Sequence, residues 1–349
     1  MNCKCKKIDD IFCCKDELVL FFYEQRVVKN ALDKIKGLGF ECKLEDNTVR
    51  IKLQNAETDV AKICQGTGWS TAEQEGIMAM LRNSTEPLSF ADMRGVKPLS
   101  QLAAISESSE ITNIIRNKAF TSYFQPIIDL EAGEIYGYEA LLRGIRDDGS
   151  ILPPNQILDT ARRGDMLFYL DRAARETALK TATAKRIDKK VFINFLPTAI
   201  YNPQNCLIDT VRLATQLEFD PKNIVFEVVE TEQISDTQHL KKILDFYKNH
   251  GFMVALDDVG SGYSSLIMLT QIQPDIIKID RDIISGIDSN SFKQSIFGAL
   301  MKVATDHGIT VLAEGVETLP EAEWVKENGA HLAQGYFWAK PSAEPIRAL

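Results

Sequence analysis

The stretch Met253-Val-Ala-Leu-Asp-Asp-Val-Gly-Ser-Gly-Tyr-Ser-Ser-Leu266 decides how this chain is read. Val254-Ala-Leu256 is short, apolar and suited to a buried strand, yet two carboxylates follow at once. Adjacent strand side chains point to opposite faces, so Asp257 and Asp258 can serve one centre only where the strand is ending. Gly260-Ser-Gly262 supplies the turn for that ending. The placement suits a pair of divalent metals bridged by carboxylate oxygens.

Outward from this stretch the pattern repeats. Apolar strands are predicted at 123–129, 135–142, 191–196, 224–229, 253–258, 276–280, 311–316 and 332–337, with helices at 162–180, 236–249, 292–307 and 319–328. Eight strands alternating with helices over residues 119–349 predict an α/β fold, a (β/α)8 TIM-like barrel with a parallel sheet. An open doubly wound sheet is the alternative, but no glycine-rich first turn opens the segment. Near the ends of these strands stand Glu139, Asn194, Glu227, Asp257, Asp258, Lys278, Glu314 and Gln334. An unpaired buried carboxylate costs several kcal/mol, and barrel strand ends converge on one mouth. The set therefore predicts an acidic cup that needs cations, and its oxygen ligands select Mg²⁺, Mn²⁺ or Ca²⁺ over softer ions. Acids and a lysine alone would also allow a metal-dependent barrel enzyme that abstracts a proton with Lys278.

Of the 349 residues 45% are hydrophobic and 26% charged, the composition of a globular chain. The net charge is −9. Residues 1–118 are balanced, so the whole excess lies in the barrel segment, which argues against duplex nucleic acid as a partner. No apolar run has membrane-spanning length and no secretory leader is evident, so a cytoplasmic protein without membrane association is expected. Residues 1–98 predict a small α+β domain: a helix over 15–38, a hairpin over 41–53 around Asp46-Asn47, and a helix over 71–82 capped by Ser70 or Thr71. A connecting helix over 99–118 follows. Four of the seven cysteines, Cys3, Cys5, Cys13 and Cys14, crowd the N-terminus as C-x-C-x7-C-C. The odd total argues against a disulfide framework, leaving loose thiols or a metal or redox site.

An ordered set of motifs resembles the EAL-domain family of cyclic di-GMP phosphodiesterases. It comprises Tyr123-Phe-Gln-Pro-Ile127, Tyr138-Glu-Ala-Leu-Leu-Arg143, Phe192-Ile-Asn-Phe-Leu-Pro197, Phe226-Glu-Val-Val-Glu230, the Asp257–Leu266 loop, Ile277-Lys-Ile-Asp280, Ala313-Glu-Gly-Val-Glu317 and Gln334-Gly-Tyr336. The resemblance implies hydrolysis of cyclic di-GMP to linear pGpG with two divalent ions, Mg²⁺ or Mn²⁺, in a homodimer formed through the EAL domain. Glu139, Asn194, Glu227, Asp257, Asp258 and Glu314 match metal ligands. Lys278, Glu314 and Glu139 match catalytic positions, and Gln125, Leu142, Arg143 and Gln334 match substrate-binding ones. Glu230 matches the glutamate that positions the Asp257-Asp258 loop. Val229, Val259 and Ser261 depart from the family's usual Thr, Phe and Thr without removing a ligand. Members that have lost ligands act instead as cyclic di-GMP receptors or interaction modules. By fold-level analogy, a domain tethered by a helix to a dimeric enzyme is expected to regulate it, with a passive docking module as the alternative.

Overall fold

A computed structural model describes residues 12–85, 92–107, 109–228, 236–260 and 263–349. By contact the described chain divides into two units, one of residues 12–118 with 155–167, the other of 119–154 with 168–349.

In the first unit β1 (Glu17–Phe21), β2 (Cys42–Glu45), β3 (Thr48–Lys52), β4 (Met78–Arg82) and β5 (Lys97–Pro98) form an antiparallel sheet of order β2-β3-β1-β4-β5. The expected helix over 15–38 is thus a strand followed by a helix, Gln25–Gly37. Leu18, Val19 and Leu20 are buried on both faces of the central strand, and an apolar run of this kind carries no helical periodicity. The periodicity begins at Val28, Ala31 and Ile35, the buried stripe of the helix. Likewise the expected helix over 71–82 stops at Gly76 and gives way to β4. Its start is as read, with Ser70 and Glu73 forming a reciprocal capping box. The hairpin turns at Asp46-Asn47, with Asp46 at φ 50°. Residues 99–117 form two helices, Leu99–Glu107 and Ser109–Asn117.

The second unit contains β6 (Phe120–Asp129), β7 (Glu134–Ile145), β8 (Ile151–Leu152), β9 (Lys190–Phe195), β10 (Ile224–Val228), β11 (Met253–Val259), β12 (Ile276–Ile279), β13 (Thr310–Ala313) and β14 (Leu332–Ala333). Their order is β6-β14-β13-β12-β11-β10-β9-β7-β8, and pairing of β6 with β7 closes an eight-stranded barrel with β8 appended. The expectation of a wholly parallel sheet is not met. β6 runs antiparallel to both neighbours. Only residues 130–133 separate β6 from β7, and a parallel crossover needs a dozen or more.

Ile127, Phe192, Val225, Ala255, Ile276, Leu312 and Leu332 fill the barrel interior. A larger apolar layer, including Phe124, Tyr138, Ile193, Phe226 and Ile277, lies outside it. Two-residue alternation along each strand generates these two cores and fixes where polar side chains can emerge inside.

Candidate active site

Six inward polar residues stand one alternation step beyond an interior-filling residue. The pairs are Phe192 and Asn194 on β9, Val225 and Glu227 on β10, Ala255 and Asp257 on β11, Ile276 and Lys278 on β12, Leu312 and Glu314 after β13, and Leu332 and Gln334 after β14. On β6 the order is reversed, Gln125 preceding Ile127, as an antiparallel strand requires. The apolar plug thus forms the floor and the polar residues the next layer.

Lys278 is the centre of that layer. Its Nζ lies 2.8 Å from Glu227 Oε1, 3.2 Å from Asp257 Oδ1 and 2.7 Å from Glu314 Oε1. Beside it, Glu139 accepts hydrogen bonds from the amides of Asn194 and Gln334, each at 2.8 Å. Burial opposes the ammonium, but the four surrounding carboxylates hold the Lys278 pKa well above its ordinary value. Burial also opposes ionisation of Glu139, yet Lys278 and the two amides keep that carboxyl below the usual range. Glu227 and Glu314 go the other way. Burial pushes both well up, because one lysine cannot offset so many acids.

The acidic pair stands at the end of its strand, as the reading of 253–258 expected: β11 stops at Val259. The sequence did not show that the pairing slips between Leu256 and Val259, with Asp258 at φ 53°. The bulge and the left-handed backbone break the alternation. Carboxylate oxygens of Asp257, Asp258 and Glu314 then lie within 4.8 Å of one another. Burial, Asp257 and a hydrogen bond with Asp280 push the Asp258 pKa up to about 6. Asp280 was not singled out as a site residue. The signal for it was present: it ends the Ile277-Lys-Ile-Asp280 strand, where Asp258 meets it.

At the rim, Gln125 Nε2 donates to the Ala339 carbonyl at 3.3 Å. The Arg143 guanidinium stacks 5.1 Å above the Tyr123 ring and donates to the Leu142 carbonyl at 2.8 Å. Arg143 shares the Glu139 face of β7, whereas alternation turns the Leu142 side chain to the other face. Leu142 therefore brings its carbonyl to Arg143, and its side chain is not brought to the cup. Tyr336, which was not singled out for a role, is exposed and stacks under Lys340 at 5.2 Å. Glu230, with Val229, Ser261 and Gly262, lies outside the described residues.

The cup is rich in oxygen and poor in donors. Asn194 Oδ1, Gln334 Oε1 and Glu227 Oε2 are buried and accept no hydrogen bond among the described residues, while Glu227 Oε1 is paired with Lys278. Orphaned acceptors next to a three-carboxylate cluster are what hard cations satisfy, so the residues fit divalent metal.

The sequence profile of the EAL domain matches residues 108–341. The chain belongs to the EAL-domain family. This EAL chain is 28% identical over 236 residues to the probable cyclic di-GMP phosphodiesterase PdeN of Escherichia coli K12, a match covering 66% of the chain and 45% of that protein. It is 28% identical over 227 residues to the blue light- and temperature-regulated antirepressor BluF of the same organism, covering 65% of the chain and 55% of BluF. The chain thus spans about half the length of these two relatives. Among solved structures, a standalone versatile EAL protein from Vibrio cholerae O395, in its c-di-GMP bound form, superposes with a TM-score of 0.60. That match has 38% identity and covers 66% of this chain and 95% of the other. No helix among the described residues of the EAL chain is long and apolar enough to cross a membrane.

Proposed function

We propose that the chain hydrolyses one phosphodiester of cyclic di-GMP to give linear pGpG, in the presence of Mg²⁺ or Mn²⁺. The observation that carries this reading is the donor-poor oxygen cup around Lys278. Glu139, Asn194, Glu227, Asp257, Asp258 and Glu314 are the residues that would hold the cations. Two such ions, when bound, supply charge neutralisation for the phosphodiester and activate water. Lys278 places a fixed positive charge beside the reacting phosphate, preorganised by its carboxylate neighbours. The amides of Asn194 and Gln334 hold Glu139 ionised and oriented. Arg143, braced on Tyr123 and the Leu142 carbonyl, offers a guanidinium to a phosphate or guanine edge at the rim, and Gln125 offers a second polar contact.

BluF, at the same identity as PdeN, is named an antirepressor and not a phosphodiesterase, which favours the competing reading of a catalytically silent EAL domain, a cyclic di-GMP receptor or protein-interaction module. The complete set of described ligand residues favours catalysis. The deciding experiment is chromatography of cyclic di-GMP incubated with the protein in EDTA and then in excess Mn²⁺. Appearance of pGpG only with metal supports hydrolysis; binding without any product overturns it. As further parts of this proposal, the protein works in the cytoplasm as a homodimer through its EAL domain, and residues 1–118 regulate it. The dimer is tested by sedimentation with and without the dinucleotide.

A further inference from the structure

Outside the barrel wall lies a buried ion pair that the phosphodiester chemistry does not use. Asp171 and Arg175 stand one turn apart on the Leu167–Ala184 helix, and their side chains are only 2% and 1% exposed. Arg175 Nη1 is paired with Asp171 Oδ2, and Arg175 Nε donates at 3.3 Å to Thr210 Oγ1 on the Ile208–Gln216 helix. The Tyr247 hydroxyl, on the Thr237–Asn249 helix, faces the same guanidinium. Stability alone does not explain such a pair, since apolar residues of similar volume often serve as well. The second oxygen of Asp171 gives a better reason.

That oxygen, Oδ1, accepts the buried Leu196 N–H at 2.9 Å. β9 ends at Phe195, which is opposite Val228 in the last rung of the ladder to β10. A buried N–H just past the ladder must find its partner elsewhere, and Asp171 is that partner. Asn194 stands two residues earlier, opposite Glu227 in the register, and its amide donates to Glu139 at 2.8 Å. Phe195, between Asn194 and Leu196, packs in the outer apolar layer. Its ring meets that of Tyr247 at 5.3 Å, and Tyr247 stacks on Phe226 at 3.8 Å. These contacts converge on the outer side of the strand end that presents Asn194 to the cup.

We propose that Asp171, held in place by Arg175, is a positioning residue for the cup: by fixing the Leu196 N–H it sets where Asn194 stands against Glu139 and Glu227. The role rests on the reading of the cup as a divalent-cation site. The charge of Asp171 holds Arg175, whereas its acceptor atom holds the strand end, so substitution can separate the two. Removing a group that orients a metal ligand from behind typically costs about 10–100-fold in metal affinity.

The test uses the full-length chain and two double variants. Asp171→Leu with Arg175→Met removes the acceptor and both charges. Asp171→Asn with Arg175→Gln removes the charges and keeps an acceptor oxygen. Metal-free thermal unfolding establishes that each folds, and Asp171→Ala with Arg175→Met replaces the first if leucine overpacks. Mn²⁺ affinity is read by calorimetry, amide exchange of residues 190–200 by mass spectrometry, and pGpG by chromatography. The apolar double variant is expected to bind Mn²⁺ about 10–100-fold more weakly and to exchange faster over 190–200. The amide double variant is expected to recover most of both. Parental Mn²⁺ affinity in the folded apolar variant, or an equal loss in the amide variant, overturns the positioning role. Mn²⁺ binding by the parent protein without pGpG overturns hydrolysis alone, and the affinities still decide the role of Asp171. A parent protein that binds no Mn²⁺ overturns the cation site and the role of Asp171 with it.

Discussion

At the scale of single residues, Glu139 and Lys278 carry different burdens. Glu139 is the acceptor for two buried amides. Replacing it with alanine removes a cation ligand and strands both amides. Turnover of cyclic di-GMP by Glu139→Ala is expected to fall more than about 100-fold even at saturating Mn²⁺; a near-normal rate would displace Glu139 from the reaction. Lys278 is the countercharge for Glu227, Asp257 and Glu314. Lys278→Met leaves those acids uncompensated, at a cost of about 3–5 kcal/mol to the metal-free protein. Excess Mn²⁺ should restore much of that stability while turnover stays low, because ions replace the countercharge in the cup but not the ammonium beside the phosphate. Denaturant unfolding with and without Mn²⁺ checks the first half and product formation the second.

At the scale of elements, the loop after β14 is as constrained as any strand. A Cβ on Gly335 would sit 1.9 Å from the Val316 carbonyl oxygen and 2.4 Å from its nitrogen. No rotamer relieves a clash with backbone, so Gly335→Ala must move the loop and with it Gln334. Overpacking of this kind costs about 1–3 kcal/mol. Loss of the Gln334 bond to Glu139 should lower activity about 10–100-fold. Melting and steady-state rates together test this, and an alanine variant with parental kinetics would show that Gln334 does not need its present register. A second constraint is Glu321, whose buried carboxylate accepts from the N–H groups of Gly286, Glu317 and Thr318 at 2.7, 2.9 and 3.0 Å. It ties the turn before the Ser291–His307 helix to the start of the Leu319–Glu327 helix, just beyond Glu314. Burial opposes its charge, but these three donors hold its pKa below the ordinary value.

At the scale of the whole molecule, divalent ions and pH act on the same carboxylates. Asp258, normally near 3.8, is pushed up to about 6. Between those two values the folded metal-free protein binds more protons than the unfolded chain, so this group's contribution lowers stability as pH rises through the window. A cation must displace the proton. Mn²⁺ affinity is therefore expected to climb about tenfold per pH unit across about pH 5 to 6. Glu227 and Glu314, also raised by burial, add to the pH dependence in the same direction. Calorimetric titration at several pH values measures it, and a flat profile would mean that these acids are already ionised. For the same reason Mn²⁺ at 100 times its dissociation constant should stabilise the fold by about 2.7 kcal/mol, read as a higher melting temperature.

The sequence by itself determined that strands alternate with helices after residue 119 and that their polar residues meet in one acidic layer. Strand alternation is a local property, and burying unpaired carboxylates is too costly to occur at so many strand ends by accident. It also contained, unread, the antiparallel start of the barrel, since the four residues between β6 and β7 allow nothing else. What only the tertiary structure decided depends on contacts distant in the chain. Residues 17–21 became a strand rather than helix because β3 and β4 flank them. Asp258 joined Asp257 through a bulge against β12, which no local pattern announces. The central place of Lys278 among acids from three other strands or strand ends follows from barrel closure, and closure is a property of the whole sheet.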